Sequence, residues 1–123
     1  MLQIDFRDAR PIYEQVADGI EQLAMRGVME PDSQLPSVRQ LAMELSINPN
    51  TIQRAYGELE RRGVIYSVKG RGNFISGDCA GLRRRRLAEI GEEIGALART
   101  ARELGADEAM LQGWLRAGEE EKP

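Results

Sequence analysis

The sequence predicts a mainly α-helical fold with one small β-wing. Three observations carry that prediction: two helical stripes joined by a very short break, two short β-type segments around a glycine-rich tip, and a new apolar spacing after residue 78.

The first helix spans about Pro11 to Arg26. Ile12, Val16, Ile20 and Leu23 make one apolar stripe with Tyr13 beside it, and Gly27 ends it. Its opposite face is acidic and is expected to stay solvated. Val28 to Leu35 reads as a loop around Glu30-Pro31-Asp32-Ser33, with Gln34-Leu35 offering a third short strand for the wing. Ser37 followed by Gln40 is a capping box, after which Val38, Leu41, Ala42 and Leu45 recur at helical spacing. Ser46-Ile47-Asn48-Pro49 then breaks the chain, supplies an Asn cap and puts Pro at the first helical position, where its missing N–H costs nothing. Two helices so closely joined are the sequence form of a helix-turn-helix.

In the second of these helices Ile52, Ala55, Tyr56 and Leu59 form the buried stripe. At 100° per residue Asn50, Arg54, Gly57 and Arg61 then point outward, with Thr51 and Gln53 on the flanks. Asn and Gln can pair bidentately with adenine and Arg with guanine, Thr can reach phosphate, and Gly57 lets backbone come close. A plain solvated face usually carries Glu, Lys and Ala, and would not need a mid-helix Gly that costs about 1 kcal/mol relative to Ala. Gly63 ends the helix, and Val64–Ser67 and Asn73–Ser76 read as strands joined by Lys69-Gly70-Arg71-Gly72. A tip with two cations and two glycines suits a phosphate wall or a minor groove. Alone it is an ordinary polar turn; after a recognition-type helix it completes a winged helix-turn-helix.

Pro11-Ile12-Tyr13, LPSVRQLA from Leu35 to Ala42, Asn48-Pro49-Asn50-Thr51 with Arg54-Ala55-Tyr56, Leu59-Glu60 and Gly70-Arg71-Gly72-Asn73-Phe74 together resemble the DNA-binding domain of GntR-family bacterial transcription regulators. The short tail and the NPNT and RAY motifs most resemble the YtrA subfamily. The match covers roughly residues 5 to 76. Pro31-Asp32 departs from the family's common Pro-Gly, with little consequence expected because Asp tolerates a turn. The resemblance implies a double-stranded DNA operator, control of transporter genes, and a DNA contact by Arg39. The expected DNA-binding set is Ser37, Arg39, Asn48, Asn50, Thr51, Gln53, Arg54, Lys69, Gly70 and Arg71.

The net charge of −3 hides an uneven distribution. Residues 1–36 carry −4, residues 37–72 carry +3 and residues 73–123 carry −2. Positive charge is concentrated on the motif, but so few cations neutralise few phosphates, and two copies acting together are expected.

The winged domain is read as residues 1–77 and a helical dimerisation segment as 78–123. Gly77-Asp78 to Gly81 reads as a hinge. Leu87, Ile90, Ile94, Leu97, Ala101 and Leu104 then alternate in spacings of 3 and 4, a seam of the a and d type. Gly105 ends that helix, Asp107 caps another with Met110, Leu111, Trp114 and Leu115 on one face, and Glu119 to Pro123 is a charged frayed tail. Two such helices cannot bury both faces alone. The dimerisation set is Leu87, Ile90, Ile94, Leu97, Ala101, Leu104, Met110, Leu111 and Trp114, pairing in a homodimer; packing back onto the winged domain is the alternative. Gly91 and Gly95 are compatible with close helix approach or with drift. Arg83 to Arg86 oppose a helix N-terminal dipole, leaving a phosphate or carboxylate partner and a solvated run both open.

Enzyme chemistry lacks its parts: there is no His, the lone Cys79 has no base partner, and no phosphate-binding glycine loop follows a strand. No metal site and no cofactor are expected. With 41% hydrophobic and 30% charged residues, no apolar run near 18 residues and no signal-peptide pattern, a cytoplasmic protein without membrane contact is expected. A small-molecule effector stays unidentified; roughly 40 tail residues are too few to enclose a pocket in one chain, so an effector site would lie at the dimer interface. A winged-helix protein-interaction module is the remaining alternative.

Overall fold

The computed structural model describes residues 2–120, and they divide into two compact units, one up to Arg84 and one from Arg85 onward. The first unit holds helices α1 (Ile12–Met25), α2 (Val38–Leu45) and α3 (Pro49–Arg61), followed by strands β1 (Ile65–Val68) and β2 (Gly72–Ile75). Helix α4 (Cys79–Glu103) starts in this unit, and α5 (Glu108–Glu120) lies in the second. The fold is mainly helical with a two-stranded antiparallel wing, as the sequence predicts.

Local signals set the helix limits. The α2 capping box forms in both directions, Gln40 N–H donating to Ser37 Oγ at 3.1 Å and Ser37 N–H to Gln40 Oε1 at 2.9 Å. Asn48 Oδ1 accepts the Asn50 N–H at 2.8 Å, and Pro49 opens α3. Helix α3 ends in a Schellman motif: Gly63 lies at φ +78 and Val64 N–H returns to Leu59 O at 2.9 Å. Helix α2 ends at Ser46, which itself adopts the left-handed region at φ +55, a conformation that glycine usually supplies.

Val16, Ala17, Ile20 and Ala24 of α1 pack with Leu41 and Ala42 of α2, with Ile52, Ala55, Tyr56 and Leu59 of α3, and with Val64, Ile65 and Ile75 of the wing. Tyr56 also donates its hydroxyl to Pro36 O at 2.7 Å, tying α3 to the segment that leads into α2. Burial pushes the Tyr56 phenol up to about 12, with the Glu44 carboxylate adding to it, so this donor keeps its proton.

The wing pairs Ile65 with Ile75 and Val68 with Gly72, so it sits one residue nearer its tip than the expected Val64–Ser67 and Asn73–Ser76. Val64 gives its N–H to the end of α3, and the tip needs only Lys69 to Arg71 because Gly70, at φ +78, lets Arg71 N–H close on Val68 O at 2.9 Å. The expected third strand at Gln34-Leu35 is a single bridge to Phe74. Pro31 and Pro36 bracket that segment and have no N–H to donate. Asp32 takes φ +63, and its carboxylate accepts the Tyr66 hydroxyl at 2.7 Å, a bond that glycine could not make.

Two further expectations about the first unit are corrected. The hinge at Gly77 to Gly81 is the start of α4: Asp78 Oδ1 accepts the Gly81 N–H at 3.0 Å, and Cys79, Gly81 and Leu82 are buried. The acidic side of α1 is not simply solvated. Arg62 reaches Asp18 Oδ1 at 2.8 Å, Glu21 Oε1 at 2.6 Å and Glu58 Oε2 at 2.8 Å, clasping α1 to the end of α3.

In the second unit Gly105 lies at φ +103, Asp107 Oδ1 accepts the Met110 N–H at 2.9 Å, and α5 continues through Glu119 and Glu120, where a frayed tail was expected. The rest of that tail lies outside the described residues. Arg83 to Arg86 fall beyond the first turn of α4, where the helix dipole has faded, and Arg86 pairs with Glu89 at 3.1 Å. Among the described residues no helix is long and apolar enough to cross a membrane.

Hydrogen bonds from Arg61 and Arg62 hold the Glu58 carboxyl down at about 2, against an ordinary 4.5. A folded pKa below the unfolded one means that the stability Glu58 contributes is full above the unfolded value and is lost as pH falls toward the folded one. Glu58→Gln should therefore have a lower urea midpoint than wild type at neutral pH, with the gap shrinking below about pH 4.5 and closing near pH 2. A gap unchanged in acid would show that the clasp is not ionic.

Candidate nucleic-acid interface

With Ile52, Ala55, Tyr56 and Leu59 turned into the core, α3 exposes Asn50, Gln53, Arg54 and Gly57 on its other side. Thr51 is half-buried on the flank. Arg39 is exposed on α2, and Lys69, Gly70 and Arg71 are exposed at the wing tip. Ser37 and Asn48 are exposed too, but their side-chain oxygens are engaged as helix caps. The Ser37 hydroxyl proton and the Asn48 amide donors remain available to an acceptor such as a phosphate.

The start of α2 and the base of the wing tip come together. Gln34 to Val38, Gln40, Arg71, Gly72 and Asn73 line a shallow depression of about 520 Å³. Gln34 Nε2 donates to Arg71 O at 2.8 Å, so one side chain from the segment before α2 grips the wing turn. Tyr66 and Phe74 stack across the hairpin at 5.6 Å, and Ser67 Oγ bonds Asn73 Oδ1 at 2.7 Å.

Charge is sorted by pairing. Arg10, Arg61 and Arg62 are neutralised by Asp18, Glu21 and Glu58. Among the described residues Arg39, Arg54, Lys69 and Arg71 form no ion pair, and they are the cations on the expected contact set. Arg54 instead places its guanidinium carbon 4.0 Å from the centre of the Tyr13 ring on α1. Tyr13 and Gln34 are the residues that sequence reasoning missed as parts of this surface. Tyr13 lies beside the α1 stripe in a family-like motif, the one signal that singled it out; Gln34 gave none, because its partner is a backbone carbonyl.

Among the described residues no three His, Cys, Asp or Glu side chains are grouped to hold a metal ion. Cys79 is buried beside Ser76 O at 3.4 Å, and burial pushes its thiol up.

The sequence profile described as "Bacterial regulatory proteins, gntR family" matches residues 12–75. The chain belongs to the GntR family. Along nearly its whole length it is similar to the HTH-type transcriptional repressor YtrA of Bacillus subtilis, at 39% identity over 94% of this chain and 90% of that protein. Among solved structures, a transcriptional regulator from Oenococcus oeni covers 95% of this chain and 98% of its own, with a TM-score of 0.77 and 28% identity. The DNA-binding domain of AraR, solved in complex with operator ORE1, covers 62% of this chain and 93% of its own, at a TM-score of 0.53 and 29% identity. The GntR relatives are regulators, and this chain is one of their kind rather than an enzyme.

Gly57 and Gly72, both on this side of the winged unit, respond oppositely to a methyl group. A Cβ at Gly57 would meet nothing within 4 Å, so Gly57→Ala should stabilise the free protein by about 0.5–1 kcal/mol. Gly72 has φ +121 and its Cβ would lie 2.8 Å from Gln34 Nε2, so Gly72→Ala should cost about 1–3 kcal/mol. Urea unfolding of both variants checks the pair; destabilisation by Gly57→Ala would mean that α3 is packed on the side described as open.

Proposed function

We propose that this GntR protein is a homodimeric, sequence-specific repressor whose two copies read a pseudo-palindromic DNA operator, each half-site taking one α3 and one wing. The observation that carries the reading is the sorting of charge. Arg39, Arg54, Lys69 and Arg71 are exposed without ion pairs, while Arg10, Arg61 and Arg62 sit against the α1 and α3 carboxylates. Similarity to the YtrA repressor supports repression, and the AraR domain bound to its operator supports a DNA partner. Transporter genes as targets rest on the YtrA resemblance alone, and a cytoplasmic location follows from the DNA partner.

Contact roles follow for Asn50, Gln53 and Arg54 at base edges, for Ser37, Arg39, Asn48 and Thr51 at phosphates, and for Lys69, Gly70 and Arg71 at the groove beside the wing. Self-association is supported by the second unit. Leu87, Leu97 and Leu104 are 60%, 71% and 84% exposed, Ile94, Met110 and Trp114 are exposed as well, and Ile90, Ala101 and Leu111 are only half-buried. Scattered exposed apolar side chains are ordinary, whereas a stripe at 3 and 4 spacing needs a cover, and a second copy supplies a matching one.

Selection from a random duplex pool would yield the preferred sequence, and fluorescence anisotropy on it and on random duplex tests the reading. Arg54→Ala should cost about 1–3 kcal/mol on the selected duplex and much less on random DNA. Equal losses on both would demote Arg54 to a phosphate contact. Lys69→Ala or Arg71→Ala should weaken every duplex and lower the salt slope by about one for each phosphate no longer neutralised. Leu97→Asp should sediment as a monomer with largely native circular dichroism and a collapsed affinity for the selected duplex. A variant that remains dimeric and binds normally would place the dimer contact elsewhere.

A further inference from the structure

Of the cations on α3 and at its C-cap, Arg61 and Arg62 are turned onto carboxylates and Arg54 is turned onto an aromatic ring. The ring belongs to Tyr13, in the first turn of α1, half-buried and packed against the core. A guanidinium carbon 4.0 Å from a ring centroid is at van der Waals contact with the ring face, the geometry of a cation–π pair. Stacking occupies a face of the planar guanidinium and leaves its in-plane N–H donors free, and the bidentate fork that matches guanine O6 and N7 lies in that plane. Among the described residues Arg54 forms no hydrogen bond or ion pair that would use those donors.

We infer that Tyr13 is a positioning residue for base reading: its ring holds the Arg54 side chain extended from α3, ready to pair with a guanine in the major groove. This rests on the DNA-binding reading above and adds to it a specificity residue on a helix that does not itself carry the recognition motif. A free arginine would have to be ordered from many rotamers when it docks, and the ring removes part of that ordering beforehand. An electron-rich face is what the role requires. Phe supplies a similar face, and Leu, of comparable apolar character, supplies none.

The test is a double-mutant cycle on the full chain, measured by anisotropy on the selected duplex and on random duplex, with urea midpoints alongside. Tyr13→Leu should lower affinity for the selected duplex by about two- to fivefold per half-site and leave random-duplex affinity nearly unchanged. Tyr13→Phe should restore most of the difference. In an Arg54→Ala background Tyr13→Leu should have no further effect. Equal losses in both backgrounds, or on both duplexes, would make Tyr13 a structural residue or a direct contact and overturn the inference. If Tyr13→Leu lowers the urea midpoint, proton NMR of the free wild-type protein decides instead. Arg54 side-chain protons shifted upfield by the ring current support the platform, and unshifted ones overturn it. Wild-type protein that binds neither duplex at low salt would defeat the DNA reading itself, whereas selective binding untouched by Tyr13→Leu would defeat the platform alone.

Discussion

The seating of α3 on α1 is the constraint on which the rest of the winged unit depends. Ile52, Ala55 and Leu59 are completely buried and Tyr56 nearly so, and burying a side chain the size of Ile52 or Leu59 contributes about 1.5–3 kcal/mol relative to exposure. A helix advances 100° per residue, so fixing those four fixes every other side chain. Turning α3 by one position would carry Arg54 or Gln53 toward an apolar core in which, among the described residues, no polar or charged side chain is buried. The Arg62 clasp then locks the far end of the same helix against Asp18 and Glu21. Exposure of the proposed recognition face is therefore a consequence of core packing rather than a separate feature.

The same packing explains how a chain of net charge −3 can offer a cationic surface. Two acidic residues of α1 are used locally: Asp18 serves Arg10 and Arg62, and Glu21 serves Arg62. Glu58 holds Arg61 and Arg62. What remains unpaired on α2, α3 and the wing tip is positive on balance, with Arg39, Arg54, Lys69 and Arg71 set against Glu44 and Glu60. A surface pair in water is worth little on its own, but here pairing decides which cations stay available to a polyanion.

Much of this was legible in the sequence because it is written in local signals. The Ser37 capping box, Asn48 and Pro49, and the αL glycines Gly27, Gly63 and Gly105 act over a few residues, and all occur where the sequence puts them. The buried stripe of α3 follows from period alone. What was not legible depends on partners far apart in the chain. Arg62 meets Asp18 and Glu21 across more than forty positions, and Gln34 meets the Arg71 carbonyl across 37. The hinge expected at Gly77 to Gly81 failed for a related reason: Gly81 suggests a loop, yet its missing Cβ leaves room for the Asp78 carboxylate, which would lie 2.1 Å from a methyl group there. Arg54 combines both situations, since periodicity places it outward while Tyr13, on another helix, determines where its guanidinium rests.

Residue-by-residue chemical-shift mapping of the labelled protein titrated with the selected duplex tests the central claim most directly. The seating of α3 predicts that perturbations concentrate at Ser37 and Arg39, from Asn48 to Arg54, and from Lys69 to Arg71, leaving the acidic side of α1 around Asp18 and Glu21 unmoved. Perturbations centred on that acidic side, with α3 and the wing tip silent, would contradict it.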